Sequence, residues 1–149
     1  MSMLVDTNIL VYALVQSAPE HAIARRWMQE RLDDPDNALA LCWPVLYATC
    51  RLLSHPRVLG IDALPVSRAW DVITTVRQQP RTRLVTEGPE HAAIAADLMR
   101  TPGLSSADVM DVHLAALALS HGLTLASHDN GFRRFPQLRW MDPLAIDPA

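Results

Sequence analysis

Lysine is absent from this sequence: all 13 basic residues are arginine. Arginine's planar fork grips phosphate and carboxylate better than an ammonium does. It also accompanies GC-rich coding, as does the abundant alanine, so the bias by itself identifies no ligand. The net charge is −3, which admits nucleic acid as a partner only through a local arginine patch or bridging cations. Cysteine is scarce. Cys42 and Cys50 are too few for a disulfide scaffold and too far apart for a C-x-x-C site. They read as two reduced, buried thiols of a cytoplasmic protein. Long apolar runs are missing: Ile9–Val15 and Leu114–Leu119 are the longest clean ones, far short of the ~20 residues of a membrane span. No Lys or Arg precedes the first apolar stretch, so the N-terminus does not read as a secretory signal. Neither G-x-x-x-x-G-K-[ST] nor G-x-G-x-x-G occurs, and a P-loop or Rossmann nucleotide site is unsupported.

What is present suits a globular chain. Of 149 residues, 50% are apolar and 19% charged, with a mean hydropathy of +0.08. Disorder needs the opposite balance, and a chain of this length can build one substantial core without staples. No repeat, low-complexity tract or Gly/Ser-rich linker divides it, so a single domain over 1–149 is expected.

Short apolar strands alternate with amphipathic helices. Met3-Leu4-Val5 reads as a buried strand cut off by Asp6, and Thr7-Asn8 leads into a helical pattern at Ile9, Leu10, Ala13 and Leu14. Further helices are expected over Glu20–Leu32, from Pro44 to Leu53 (ended by Ser54-His55-Pro56), Pro65–Gln79, Pro89–Arg100, and from Ser105 or Ser106 to Ser120. Ala38–Cys42, Arg83–Val85, Leu123–Ala126 and Arg139–Met141 read as further strands. The expected fold is α/β: a three-layer α/β/α sandwich on a mainly parallel sheet of four to five short strands.

In open α/β sheets the ligand crevice lies beyond the carboxyl ends of the strands. Asp6 ends the first strand, and Asp129 follows Ala126 at the end of the fourth. Asp108 and Asp111, spaced i and i+3, share one side of the helix before that strand. Each acid has a local alternative. Asp6 can cap the helix after it. Asp108 completes an S-x-x-D capping pattern with Ser105, which is the better reading of it taken alone. Asp129-Asn130-Gly131 can be a turn, although Phe132-Arg133-Arg134-Phe135-Pro136 does not read as the returning strand of a hairpin. Asp111 is less easily explained, since a helix interior disfavours Asp. Gathered at one rim, these carboxylates would repel and raise each other's pKa. A divalent cation relieves that, and Mg²⁺ suits few carboxylates, several waters and a substrate phosphate. Such a site can drive phosphodiester cleavage.

Three segments resemble a known family. Leu4-Val5-Asp6-Thr7-Asn8-Ile9-Leu10, Asp111-Val112-His113-Leu114-Ala115-Ala116-Leu117-Ala118 with His121-Gly122, and Ser127-His128-Asp129-Asn130-Gly131-Phe132 with Phe135-Pro136 are similar, in order, to the acidic motifs of PIN-domain nucleases. The middle stretch Arg51–Val58 narrows the likeness to VapC-type toxins. The resemblance implies a Mg²⁺- or Mn²⁺-dependent endoribonuclease, held in check by a VapB-like antitoxin and commonly a homodimer. It places Asp6, Asp111 and Asp129 at the metal, with Asn8 and Ser127 as polar helpers. Two positions depart from the family pattern. Many relatives carry a Glu where this chain has Ala48, and a second Asp where it has Gly131. One tightly held ion is therefore expected rather than two, and Asp108 is expected to replace part of the lost charge as a fourth metal residue. The same losses keep a non-catalytic PIN-like binding module as an alternative reading. A phosphoryl-transfer domain with Asp6 as nucleophile is a remoter one, because Asp6-Thr7-Asn8 lacks a D-x-D pair.

The remaining chemistry-bearing residues have plainer readings. The six histidines show no H-E-x-x-H or compact ligand spacing, so no zinc site is expected. His128 should point away from Asp129 if the segment is extended. Arg133 and Arg134 suit either RNA phosphate or a solvated loop. Arg51 is placed to pair with a site carboxylate. Most of the four tryptophans are expected in core or dimer contacts.

Overall fold

The computed structural model describes residues 2–145. In chain order the elements are β1 (Met3–Val5), α1 (Thr7–Leu14), α2 (His21–Asp33), β2 (Leu39–Leu41), α3 (Trp43–Leu53), α4 (Pro56–Leu59), α5 (Val66–Arg77), β3 (Thr82–Leu84), α6 (His91–Leu98), α7 (Val109–Ser120), β4 (Thr124–Ala126) and β5 (Trp140–Met141). Single 3₁₀ turns cover Gly60–Asp62, Ser106–Asp108 and Asn130–Arg134. The five strands pair in parallel in the order β3-β2-β1-β4-β5. The α/β architecture is the one expected, including its fifth strand.

The chain steps from β1 outward to β2 and β3, then returns to place β4 on the other side of β1. Right-handed crossovers in opposite directions put their helices on opposite faces. The packing agrees: α1 packs on α2 and α3, and α3 on α5, while α6 packs on α7. The direction of winding reverses between β1 and β4, and a crevice forms at such a reversal.

The middle strands are covered on both faces. Leu4, Leu39, Ala40, Leu41 and Leu125 are fully buried, the continuous apolar pattern of a doubly covered sheet. Helix α7 carries Ala115, Ala116 and Ala118 with no exposed surface, so its backbone lies close to its neighbours. It ends in a Schellman motif. Gly122 has a positive φ of 64°, and the Leu123 N–H reaches the Ala118 carbonyl at 2.8 Å. That turn feeds the chain directly into β4.

Most element boundaries moved by a residue or two, as helix and strand ends do, while α7 begins only at Val109, after the 3₁₀ turn over Ser106–Asp108. One element was not expected at all. Ser54-His55-Pro56 does end α3, but Pro56 also starts α4. His55 caps that short helix, its Nδ1 accepting the Arg57 N–H at 3.1 Å, and Pro56 occupies the first position, where no N–H is needed.

The tight seat of α7 is testable. Ala116→Leu should cost about 1–3 kcal/mol by overpacking, seen as a lower urea midpoint with an unchanged slope.

Candidate metal-binding acidic site

The site is assembled at the reversal point. The Asp6 N–H donates to the Ala126 carbonyl at 3.0 Å, tying the end of β1 to the end of β4. Asp6 then turns the chain into α1, with Oδ1 accepting the Thr7 N–H at 2.7 Å. Its capping role is real, yet it uses one carboxylate oxygen only. The other, Oδ2, accepts the Ser127 hydroxyl at 2.6 Å.

Ser127 is fully buried and its hydroxyl has a complete set of partners. It donates to Asp6 and accepts the Asp129 N–H at 3.0 Å. The Asn8 side-chain amide approaches it at 3.4 Å. The Asn8 carbonyl oxygen in turn accepts the His128 N–H at 3.2 Å. The two residues named as polar helpers therefore lock the loop after β4 to the start of α1. Trp140 also contributes: its indole N–H donates to the Ser127 carbonyl at 3.0 Å. Nothing in the spacing of the sequence marked Trp140, because the contact depends on β5 lying beside β4.

Asp129 caps the turn after it, accepting the Gly131 N–H at 2.8 Å through Oδ1. Asp111 reaches the group from α7. Its carboxyl is pushed up to about 6, first by burial, then by the negative charges of Asp129 and Asp6. Burial likewise raises Asp6, against the lowering hydrogen bonds from Ser127 and Thr7. Acids from three segments thus share one field, as like charges gathered in a cleft do.

Asp108 sits one turn before Asp111 and is already matched. It closes the capping box with Ser105, accepting the Ser105 N–H at 2.8 Å, and pairs with Arg134 Nη1 at 3.0 Å. These hydrogen bonds, the Ser105 backbone one foremost, hold its carboxyl below the usual range. Arg134 also donates from Nε to the Gly131 carbonyl at 2.6 Å. A Cβ at position 131 would collide with the Arg134 guanidinium and lie 3.0 Å from Asp129 Oδ1. An arginine therefore fills the space beside residue 131 where many relatives place an acid.

The other residues singled out are more peripheral. His128 does turn aside, pairing with Asp142 at 2.9 Å and packing edge-on to Tyr12. Arg51 is exposed, and the ion pairs among the described residues do not include it. Arg133 stacks over Trp140 at 5.3 Å, beside a cleft of about 580 Å³ that Asp129 and Asn130 also line. Burial pushes the Cys42 thiol up to about 11, in keeping with an inert buried cysteine.

With this geometry in view, the comparison with known proteins is direct. Residues 3–138 match the PIN domain family. The chain belongs to that family. It is 35% identical to ribonuclease VapC33 of Mycobacterium tuberculosis over 139 residues, covering 93% of this chain and 96% of that protein. Among solved structures, VapBC2 from Rickettsia felis, bound to a DNA fragment from its promoter, superposes with a TM-score of 0.72. It covers 95% of this chain and 98% of its own, at 17% identity. A toxin–antitoxin complex from Klebsiella pneumoniae gives a TM-score of 0.56 at 18% identity, covering 95% and 97%. The two structures share the fold, whereas the Mycobacterium protein shares sequence along almost the whole chain.

The crowding of carboxylates has a thermodynamic signature. Asp111 holds its proton more tightly folded than unfolded, so between about pH 4 and 6 its effect is to lower stability as pH rises. Asp111→Asn should stabilise the metal-free protein at pH 7, by about 1 kcal/mol once solvent screening is allowed for. Urea denaturation in chelator at several pH values should show both the gain and a flatter pH profile.

Proposed function

We propose that this PIN-like chain, taken as one domain over 1–149, is the toxin of a toxin–antitoxin pair. It acts as a Mg²⁺-dependent endoribonuclease, with Mn²⁺ as an alternative ion. The observation that carries the reading is the convergence of Asp6, Asp111 and Asp129 from three separate segments, where burial first, and then the charges of Asp129 and Asp6, push the Asp111 carboxyl up to about 6. The 35% identity to a protein named as a ribonuclease supplies the reaction class.

The donor set fits a hard cation. Asp6, Asp111 and Asp129 offer carboxylate oxygens, with no sulfur or imidazole among them, which suits Mg²⁺ or Mn²⁺. When bound, the ion supplies positive charge at the scissile phosphate and a lowered pKa for water. The protein's own part is placement. Ser127 orients Asp6 and Asp129 through a single oxygen, and Asn8 holds the loop that carries Asp129. Arg134, standing where a second Asp would add negative charge, supports one ion rather than two. Arg133, on its Trp140 platform, supplies positive charge for RNA phosphate in the cleft beside Asp129.

Partners follow from the surface. A cleft of about 610 Å³ runs between the end of α1, the start of α2 and the Leu53–Leu64 region. It suits an amphipathic segment of a VapB-like antitoxin. Exposed Tyr47 stacks on Trp70, with Val66 exposed nearby in sequence on α5, and this apolar face suits a homodimer contact. No helix among the described residues is long and apolar enough to cross a membrane. The two reduced thiols fit the cytoplasm.

Asp6→Asn should abolish cleavage of total RNA in Mg²⁺ or Mn²⁺ while circular dichroism stays native, and EDTA should silence the wild type. Survival of cleavage in both cases overturns the reading. RNA binding without metal-dependent cleavage would establish the non-catalytic alternative.

Asp108 receives Ser105 and Arg134 on Oδ2, which leaves Oδ1 to serve the ion. Asp108→Ala should weaken metal affinity by roughly tenfold, measured by titration calorimetry, while cleavage persists at saturating metal. An unchanged affinity would leave Asp108 as a helix-start residue.

A further inference from the structure

A second group of metal-ligand side chains lies apart from the aspartates. Glu87, His91 and His113 each present a ligand atom, and the three atoms lie within 4.8 Å of one another. They come from different segments: Glu87 from the loop after β3, His91 from the first position of α6, and His113 from α7. His113 follows Asp111 by two residues, a rotation of about 200° on a helix, so it faces the opposite side of α7. The histidines are far apart in the sequence, and no spacing rule could have joined them.

Three features favour a bound cation here over an ordinary polar cluster. First, the Nδ1 atom of His91 is buried with no hydrogen-bond partner among the described residues. Buried imidazole nitrogens are normally satisfied. Second, His113 Nε2 already meets Glu87 Oε1 at 2.6 Å. Two such ligands on a tetrahedral zinc would sit roughly 3.3 Å apart, so exchanging the shared proton for an ion needs only a small separation. Third, the support is fixed. His121 Nε2 meets the Thr86 carbonyl at 2.7 Å and the His91 N–H donates to the Gly88 carbonyl at 3.2 Å. Both sides of Glu87 are thereby pinned.

We infer that Glu87, His91 and His113 form a second metal site, one for a borderline transition-metal dication such as Zn²⁺. Two imidazoles and a carboxylate are the ligand type that such ions prefer, and Mg²⁺ does not. Three protein ligands leave a fourth position for water. The ion joins the β3–α6 loop, α6 and α7, so it clamps the layer that carries Asp111.

The probe is Zn²⁺ alone, added to the full chain and followed by competition with a chromophoric chelator, by thermal unfolding and by X-ray absorption. The wild type should bind a single equivalent, melt at higher temperature with it, and show imidazole nitrogen in the metal shell. His91→Ala should weaken binding at least about tenfold. Glu87→Gln, at a half-exposed side chain, should do the same. Asp6→Asn should leave it intact. The site is refuted if the wild type binds no Zn²⁺, if both Glu87→Gln and His91→Ala bind as tightly as wild type, or if Asp6→Asn removes the binding. The last outcome would place the zinc among the aspartates. The result is independent of whether the chain cleaves RNA.

Discussion

One hydroxyl holds the acidic centre together. Ser127 donates to Asp6 and accepts from the backbone of Asp129, so a single buried oxygen sets the relation between the ends of β1 and β4. Everything around it is arranged to keep that oxygen in place. Trp140 grips the Ser127 carbonyl, Asn8 braces the following residue, and the strand-end contact from Asp6 to Ala126 closes the register. Without that hydroxyl, Asp6 Oδ2 would lose its partner and the Asp129 backbone its anchor. Side chains that orient ligands in this way matter nearly as much as the ligands.

The fold was readable because its sheet is covered on both sides. Met3-Leu4-Val5, Ala38–Cys42 and Leu123–Ala126 are short, apolar and bounded by turn signals, which is the pattern that layered parallel sheets impose. The three aspartates were readable for a related reason. Two of them end strands, and strand ends in such a sheet line the crevice. Asp111 stood out because a helix interior does not favour it. What stayed hidden depends on contacts between distant segments. Trp140 reaches Ser127 only because β5 pairs with β4. The Glu87, His91 and His113 group forms only when α6 and α7 pack together. Helix α4 escaped for a local reason: the proline that ends one helix also begins the next.

The substitution at Gly131 changes meaning in three dimensions. In the sequence it is a missing acid. In the structure it is room for the guanidinium of Arg134, which spans from the Gly131 carbonyl to the Asp108 carboxylate. At that point this chain places a positive charge and no acid. Arg134 lowers the Asp111 carboxyl while the neighbouring aspartates raise it. The centre is thus less acidic than a bare count of its carboxylates suggests, and the arginine offsets part of the repulsion that a cation would otherwise have to relieve.

The order of the strands also dictates a timetable. The central strand, Met3–Val5, is made before both of its neighbours, and one of these comes from as far along the chain as Thr124–Ala126. Everything between those points must be synthesised before the two strands can meet, and pairing over such a separation is slow. The partial chain holds Asp6 without Ser127 or Asp129. A polypeptide whose synthesis has not passed Asp129 therefore lacks the acidic centre, and whatever that centre does begins only after those residues have emerged.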